Sequence, residues 1–179
     1  MIPSRATVGA VCVLVAVGAA APSLAASGNK FPPSTTTRDC GNGNTVAITG
    51  PLELWPPNHK FVNEPVTATD HDSTAMVSLT LMPSATDATG GDGGPQHDPD
   101  WQLSDGTTGN SFMSSGTGST TSALQLRAER SGKGDGRTYT INWSATFDNG
   151  TSMCSSSDGT AAHAPFTVTV PHDMGKSTN

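Results

Sequence analysis

Residues 137–147 read Arg-Thr-Tyr-Thr-Ile-Asn-Trp-Ser-Ala-Thr-Phe, and from Thr138 onward polar and apolar side chains alternate. Successive side chains of a β-strand point to opposite faces, so an alternation of period two is typical of a strand with one face buried and the other in solvent. The stretch therefore predicts a long strand. Its core-facing side chains are Tyr139, Ile141, Trp143 and Ala145.

A second alternating stretch precedes this one along the chain. Leu124, Leu126 and Ala128 are separated by polar residues, which predicts a strand within 123–130 that places these three side chains in the core. The glycines of residues 132–136 permit the positive φ angles that a tight reversal requires. The two strands are therefore predicted to pair as an antiparallel hairpin.

The other strand-like runs are short, and Gly, Asp, Asn and Pro fill the turns between them. These runs are residues 46–48, 52–55, 61–69, 75–82 and 166–170. No apolar spacing of three to four residues is sustained after the N-terminal segment, so little or no helix is expected. The pattern predicts an all-β fold, an antiparallel β-sandwich of about seven strands, although periodicity alone leaves a closed barrel open. Long Gly/Ser/Asp-rich loops are predicted at 84–98 and 104–121, and the second is expected to be mobile.

The N-terminus has the organisation of a secretory signal peptide. One charge, Arg5, precedes an apolar run from Val8 to Ala21, and small residues follow it. The run is shorter than the roughly 20 residues of a membrane span, so no span is expected in the mature chain. We predict a secreted, extracellular protein with four segments. These are a signal peptide (1–26), a flexible Pro/Ser/Thr-rich leader (27–44), the β-sandwich domain (45–173) and a C-terminal tail (174–179).

The charge of the mature chain disfavours one class of partner. All fifteen acidic residues follow the signal peptide, and eight of the nine basic residues remain once Arg5 is removed, so the mature net charge is −7. Recognition of nucleic-acid phosphates needs a basic face, so nucleic acid is not expected as a partner. An extracellular glycan or protein is the expected class of partner.

The cysteine count predicts one disulfide bond. Cys12 lies within the signal peptide, which leaves Cys40 and Cys154 as the only cysteines of the mature chain. Two cysteines in an exported protein are expected to pair. No second cysteine lies within a few residues of either one, so sequence spacing gives no sign of a metal site built from them.

Four separated motifs carry a resemblance to a known family. They are residues 54–60 (Leu-Trp-Pro-Pro-Asn-His-Lys), Asp100-Trp101, residues 126–132 (Leu-Arg-Ala-Glu-Arg-Ser-Gly) and residues 170–173 (Val-Pro-His-Asp). In this order they resemble a family of secreted bacterial Ig-like β-sandwich domains, over about residues 45–173. The resemblance implies an Ig-like fold in a secreted or cell-surface protein. It says little about activity, because a sandwich scaffold hosts many functions.

Aspartates in predicted loops suggest calcium. Ca²⁺ prefers six to eight oxygen ligands, which short carboxylates and backbone carbonyls in Gly-rich loops supply. If the sandwich brings the loops to one pole, two clusters of carboxylates converge there and form a calcium site. The predicted metal ligands are Asp70, Asp72, Asp92, Asp98 and Asp100. The alternative interpretation is ordinary turn chemistry, since Asp favours turns through side-chain to backbone bonds.

Other chemistry has weaker support. No two histidines have chelating spacing, and no Gly-x-Ser-x-Gly nucleophile motif is present. A small secreted metal-binding protein or hydrolase that uses His71, His97 and the Asp loops is therefore the alternative function. Trp55 and Trp101 are candidate ligand-binding residues, and Arg127, Glu129 and Arg130 are expected to form a solvent-facing charge ladder. The favoured interpretation is a noncatalytic binding or structural module, with calcium as a possible cofactor, and with binding through its long loops.

Overall fold

The computed structural model describes residues 30–86, 99–130 and 136–172, and it confirms the all-β prediction. All the strand pairs are antiparallel, and the helical segments within the described residues are two 3-10 turns, Asp148–Gly150 and Ala161–His163. The strands are β1 (Ser34–Asp39), β2 (Thr45–Gly50), β3 (Phe61–Asn63), β4 (Val66–Thr69), β5 (Met76–Ala85), β6 (Trp101–Leu103), β7 (Phe112–Thr117), β8 (Ser119–Ser122), β9 (Leu124–Arg127), β10 (Gly136–Phe147), β11 (Ser152–Ser155) and β12 (Phe166–Pro171).

The strands form two layers around one hydrophobic core. One layer contains the sheet β1-β2-β4-β8 and the sheet β3-β9-β6. The other has the order β11-β10-β5-β7, with β12 paired to the first half of β10 and β11 to its second half. The predicted core residues of β9 and β10 are all buried between the layers. Each large apolar side chain buried there contributes roughly 1.5–3 kcal/mol to stability.

The two sheets of the first layer share one continuous register. β3 pairs β9, β4 pairs β8, and each pair follows the same alignment, so β3-β4 and β8-β9 are two long strands that are each interrupted in the middle. The interruption lies at Glu64-Pro65, where proline has no N–H to donate to the ladder. Breaks of this kind are one reason why twelve strands are present in the described residues instead of about seven.

The predicted hairpin of the two alternating stretches is wrong. β9 pairs β3 and β6, whereas β10 pairs β5, β11 and β12, so the chain crosses from one layer to the other between them. Alternation identifies the buried face of each strand but not its partner. In a sandwich, strands of both layers bury the same kind of face against one core.

Two segments predicted to be flexible contain strands. Residues 34–39 of the predicted leader form β1 at the edge of a sheet. The predicted mobile loop 104–121 contains β7 and all of β8 except its last residue. Threonine favours extended backbone, and an edge strand can be held by backbone hydrogen bonds with few apolar side chains. In contrast, the predicted strand 52–55 has one isolated bridge, from Glu53 to Thr169.

No helix within the described part of the chain is long and apolar enough to cross a membrane. The predicted signal peptide, the C-terminal tail and residues 87–98 of the first predicted loop lie outside the described residues.

Candidate functional site

The carboxylate of Asp70 is the centre of a polar cluster at one end of the sandwich. Asp70 follows β4, and its side chain is fully buried. Its Oδ1 accepts the backbone N–H of Asp72 at 2.9 Å, and its Oδ2 accepts the N–H of Asp148 at 2.6 Å. The bond from Asp148 is the main cause that lowers the pKa of Asp70. Asp70 therefore stays ionised at neutral pH and fastens the end of β4 to the turn after β10.

His71 lies against this carboxylate with half of its side chain exposed. Its Nδ1 is 3.1 Å from Oδ1 of Asp70, 3.1 Å from Oδ1 of the buried Asn44 and 3.6 Å from Oδ1 of Asp148. Ligand atoms of Asp70, His71 and Asp148 lie within 4.8 Å of one another, a spacing compatible with a metal ion. The same spacing is equally compatible with an Nδ1–H group that donates a hydrogen bond to these oxygens.

The carboxylate of Asp72 forms hydrogen bonds within the turn that contains it. Its Oδ1 accepts the N–H of Thr74 at 2.8 Å and the hydroxyl of Thr74 at 2.7 Å. These two hydrogen bonds are the main causes that lower the pKa of Asp72. This is the turn chemistry that the sequence offered as the alternative to a metal ligand.

Asp100, the third predicted ligand in the described residues, lies at the opposite end of the sandwich. Its carboxylate forms an ion pair with Arg137 near the start of β10, whereas Asp70 bonds to Asp148 directly after the end of β10. Along an extended strand these two contact points are about 35 Å apart, at about 3.3 Å per residue. The prediction that both Asp clusters share one calcium site is therefore wrong for Asp70 and Asp100. Calcium binding itself stays a prediction.

Several predicted residues lie outside the described part of the chain. They are the predicted ligands Asp92 and Asp98, and His97 of the alternative function. For His71, the hydrogen-bond and ion-pair partners within the described residues are Asn44, Asp70 and Asp148. None of these is a nucleophile, so among the described residues the Asp70–His71 pair has no bonded hydroxyl or thiol of the kind that a hydrolase of the serine or cysteine type would activate.

The end that contains Asp100 holds a buried charge network. Arg137 is buried, pairs with Asp100 and donates to the hydroxyl of Tyr139 at 3.2 Å, and that hydroxyl donates to the carbonyl of Arg127 at 2.8 Å. Burial raises the pKa of Tyr139 to about 12. Glu129 is also buried, with its Oε2 at 3.7 Å from Nε of Arg127. The predicted solvent-facing ladder is therefore wrong for Glu129, because the chain turns inward where β9 ends.

Parts of the family-like motifs meet in this network. His59 donates its N–H to the carbonyl of Ala128, and Arg127 donates its N–H to the carbonyl of Asp100. Three of the four motifs are therefore in direct contact. Their contacts connect segments that are distant in sequence, which is a structural role.

The disulfide bond predicted between Cys40 and Cys154 is present, and it joins the end of β1 to β11. His163 lies beside it, with Nδ1 bonded to Asp158 and Nε2 at 2.9 Å from the carbonyl oxygen of Asp39. The bond to Asp158 is the main cause that raises the pKa of His163. The ligand atoms of His163 and of both cysteines lie within 4.8 Å of one another.

The outward side of the sheet β11-β10-β5-β7, here called the methionine face, carries all the large exposed apolar side chains of the described residues. Met113 and Met153 are 78% and 75% exposed. Serine, threonine and asparagine alternate with the methionines on the outward positions of these strands, and none of those positions is charged. The exposed methionines are Met76, Met82, Met113 and Met153.

The outward side of the opposite sheet, here called the threonine face, is also almost uncharged. Hydroxyl groups pair across its strands, Thr35 with Thr49 at 3.2 Å and Thr67 with Thr121 at 2.8 Å. Asp39 at one corner is its single charged residue. The cross-strand partners on this face are Thr35, Thr37, Thr45, Ala47, Thr49, Thr67, Thr69, Ser119 and Thr121.

The two candidate ligand-binding tryptophans are half-buried. Trp101 lies in β6, and its Nε1 donates to the carbonyl of Gly109 at 2.8 Å. Trp55 lies on the segment that bridges to β12, and its carbonyl accepts the N–H of Lys30 at 2.8 Å. Each is held on a different segment, and a ligand-binding role for either stays a prediction.

Comparison with family models, curated proteins and solved structures gives no match for this chain. The resemblance carried by the motifs is therefore untested.

Sequence reasoning missed three features of the molecule. The methionines stand singly in segments predicted as strands and loops, so their shared face depends on strand pairing. His163 reaches the disulfide only through the fold. Glu64, which is fully buried, lies within the predicted strand run 61–69, and nothing in the sequence marked it as a core residue.

Proposed function

We propose that this protein is a noncatalytic, secreted binding module that docks a protein partner on its methionine face. The observation that carries the proposal is the concentration of the exposed large apolar side chains on one uncharged sheet face. Methionine side chains are flexible and polarisable, so they adapt to the surface of a partner. Single exposed apolar residues need no explanation, but four on one face of one sheet make that face the natural interface.

The remaining observations agree with a binding module. The chain has 13% charged residues, well below the roughly 25% of an ordinary soluble protein. The outward strand positions of the methionine face are uncharged, so a partner can displace water there without leaving a charge buried and unpaired. The Asp70–His71 pair has no nucleophile partner in the described residues, which favours binding over hydrolysis. A disulfide bond fits a secreted protein.

A glycan partner on the threonine face is the second candidate. Hydroxyl groups there continue into an amide ladder on the neighbouring sheet, where Gln125 bonds to Asn63 at 2.7 Å and to Gln102 at 3.0 Å. Neutral donors and acceptors of this kind match the hydroxyl groups of an uncharged sugar. We rank this candidate second, because hydroxyl side chains are also the ordinary covering of a solvated sheet.

Retention of the immobilised mature chain on a cell-surface fraction separates the two candidates. Met113→Lys with Met153→Lys should reduce retention at least tenfold, while the matched pair Thr37→Lys with Thr121→Lys should leave it unchanged. Protease treatment of the fraction should abolish retention, and periodate oxidation of its glycans should not. The reverse pattern would establish the glycan candidate. If neither pair of variants reduces retention, both faces are excluded as the docking surface.

A further inference from the structure

The corner that contains the disulfide bond also contains the imidazole of His163, a third side chain of a type that binds metal ions. Cys154 is buried, Cys40 is half-buried, and His163 reaches both sulfurs with one ring nitrogen within 4.8 Å. Two thiolates and an imidazole are the ligand set of soft and borderline ions such as Cu⁺ and Zn²⁺. In the oxidised protein the sulfurs are bonded to each other and are not available as thiolates.

The surroundings of His163 suit a metal ligand. Asp158 holds Nδ1, and the carbonyl of Asp39 lies 2.9 Å from Nε2. A ligating histidine usually donates its second ring nitrogen to a carboxylate or a carbonyl, which fixes the orientation of the ring. A metal ion bound by one ring nitrogen would replace the hydrogen bond of that nitrogen, and the other nitrogen would keep its oxygen partner. The His163 ring is also oriented edge-on to the buried Trp143 ring, with 6.2 Å between the ring centroids.

We propose that reduction of the Cys40–Cys154 bond converts this corner into a binding site for a thiophilic metal ion, Zn²⁺ or Cu⁺, with both sulfurs and His163 as protein ligands. The reductant is a dithiol. It supplies two electrons and two protons, so the S–S bond breaks, two thiols form, and the dithiol closes into a disulfide. Metal binding then releases both thiol protons and the proton on the ligating nitrogen of His163 to solvent. The proposal is independent of the methionine face.

Nothing in the sequence indicates this site, because Cys40, Cys154 and His163 have no chelating spacing. The fold assembles it in three steps. β1 pairs at the sheet edge and delivers Cys40, β11 delivers Cys154, and the 3-10 turn Ala161–His163 places the imidazole beside them. The side chain of Arg38 also donates to the carbonyl of Ala164 at 2.9 Å, which holds that turn against β1.

Cobalt titration of the full mature chain tests the proposal. The protein is reduced under anaerobic conditions, the reductant is removed, and Co²⁺ is added as a spectroscopic substitute for Zn²⁺. We expect one Co²⁺ per chain, with a thiolate-to-cobalt charge-transfer band and the visible absorption of a tetrahedral ion, both removed by excess Zn²⁺. The oxidised protein should show neither band.

Two variants distinguish a built site from unspecific thiol binding. His163→Asn should weaken Co²⁺ binding at least tenfold, whereas His71→Asn, a half-exposed histidine beside carboxylates, should leave it unchanged. Equal affinity in His163→Asn and the unaltered protein would overturn the proposal. If reduction alone unfolds the chain, Zn²⁺ must restore the folded circular-dichroism spectrum, because metal binding and folding are then coupled. A reduced chain that stays unfolded with Zn²⁺ overturns it equally.

Discussion

Glu64 is the most unusual single residue of the core. Its side chain is fully buried where the ladder of β3-β4 is interrupted, and neither carboxyl oxygen has a hydrogen-bond partner in the described residues. Burial raises the pKa of Glu64 to about 9. The group is therefore protonated and neutral in the folded protein at physiological pH.

This buried acid predicts that stability falls as the pH rises. Between about pH 4.5 and pH 9 the unfolded chain has released the Glu64 proton while the folded chain keeps it, so the free energy of unfolding decreases through this window. Across this window the free energy of unfolding decreases by on the order of 6 kcal/mol, provided that the fold around Glu64 does not rearrange. Urea unfolding at a series of pH values measures the slope. Glu64→Gln should flatten it and Glu53→Gln should not, and an unchanged slope in Glu64→Gln would contradict this account.

Gly50 makes room for the Glu64 carboxyl. A Cβ atom at residue 50 would lie 2.0 Å from Oε2 of Glu64, whereas a Cβ at Gly109 would meet nothing closer than 3.7 Å. Gly50→Ala should therefore destabilise the protein by about 1–3 kcal/mol through overpacking, and Gly109→Ala should have a much smaller effect. In a Glu64→Ala background the cost of Gly50→Ala should fall markedly, which a double-mutant cycle measures. Additive effects would mean that the two residues do not share this space.

At the scale of elements, the disulfide bond fixes the edge strand β1. It joins residues 114 positions apart, so the loop-entropy relation assigns it about 5 kcal/mol of stability. Replacing both cysteines by serine should lower the free energy of unfolding by roughly this amount. In native-state hydrogen exchange, the amides of β1 should lose protection before those of β10. Equal loss across both strands would show that β1 does not open independently.

The strands that could be predicted from the sequence are those that bury an apolar face. β10 has an alternating pattern because one face lies in the core, and its buried residues were predicted correctly. β1, β7 and β8 have few apolar side chains, and their order depends on backbone pairing with neighbours distant in sequence. The pairing of β9 was mispredicted for a related reason. A strand in either layer can bury the same kind of apolar face in the shared core, so the pattern of β9 does not indicate its partner.

The candidate sites followed the same division. The sequence identified Cys40 and Cys154 because a count of two cysteines permits one pairing. It placed Asp70 and Asp100 in one calcium site because loop composition does not specify the end of the sandwich at which a loop lies. The length of β10 separates them.

At the scale of the whole molecule, the two outward faces differ in chemistry. One exposes hydroxyl groups and the other exposes methionines among hydroxyl groups, and the charged network around Arg137 lies at one end. The outward strand positions of the methionine face are uncharged, and Asp39 is the single charge of the threonine face, which suits docking of a partner better than capture of a small ion or metabolite. The binding that we propose therefore uses a sheet face, whereas the sequence alone favoured the long loops.

Oxidation of the exposed methionines should separate binding from stability. Mild peroxide should convert Met113 and Met153 to sulfoxides, which makes flexible apolar side chains polar. Because these side chains are largely exposed, the free energy of unfolding should change by less than about 0.5 kcal/mol. Retention of the protein partner should nevertheless fall at least fivefold and return after treatment with methionine sulfoxide reductases. Peptide mass spectrometry reports the extent of oxidation, and full retention by the oxidised protein would count against the methionine face.

Photo-crosslinking tests the docking face most directly. A photoreactive amino acid is introduced at residue 113 on the methionine face or, in a matched protein, at residue 121 on the threonine face, and each protein is irradiated on the cell-surface fraction. The account predicts one discrete protein adduct from position 113, competed away by unlabelled mature chain, and none from position 121. A competed adduct that forms at position 121 and not at position 113 would contradict it.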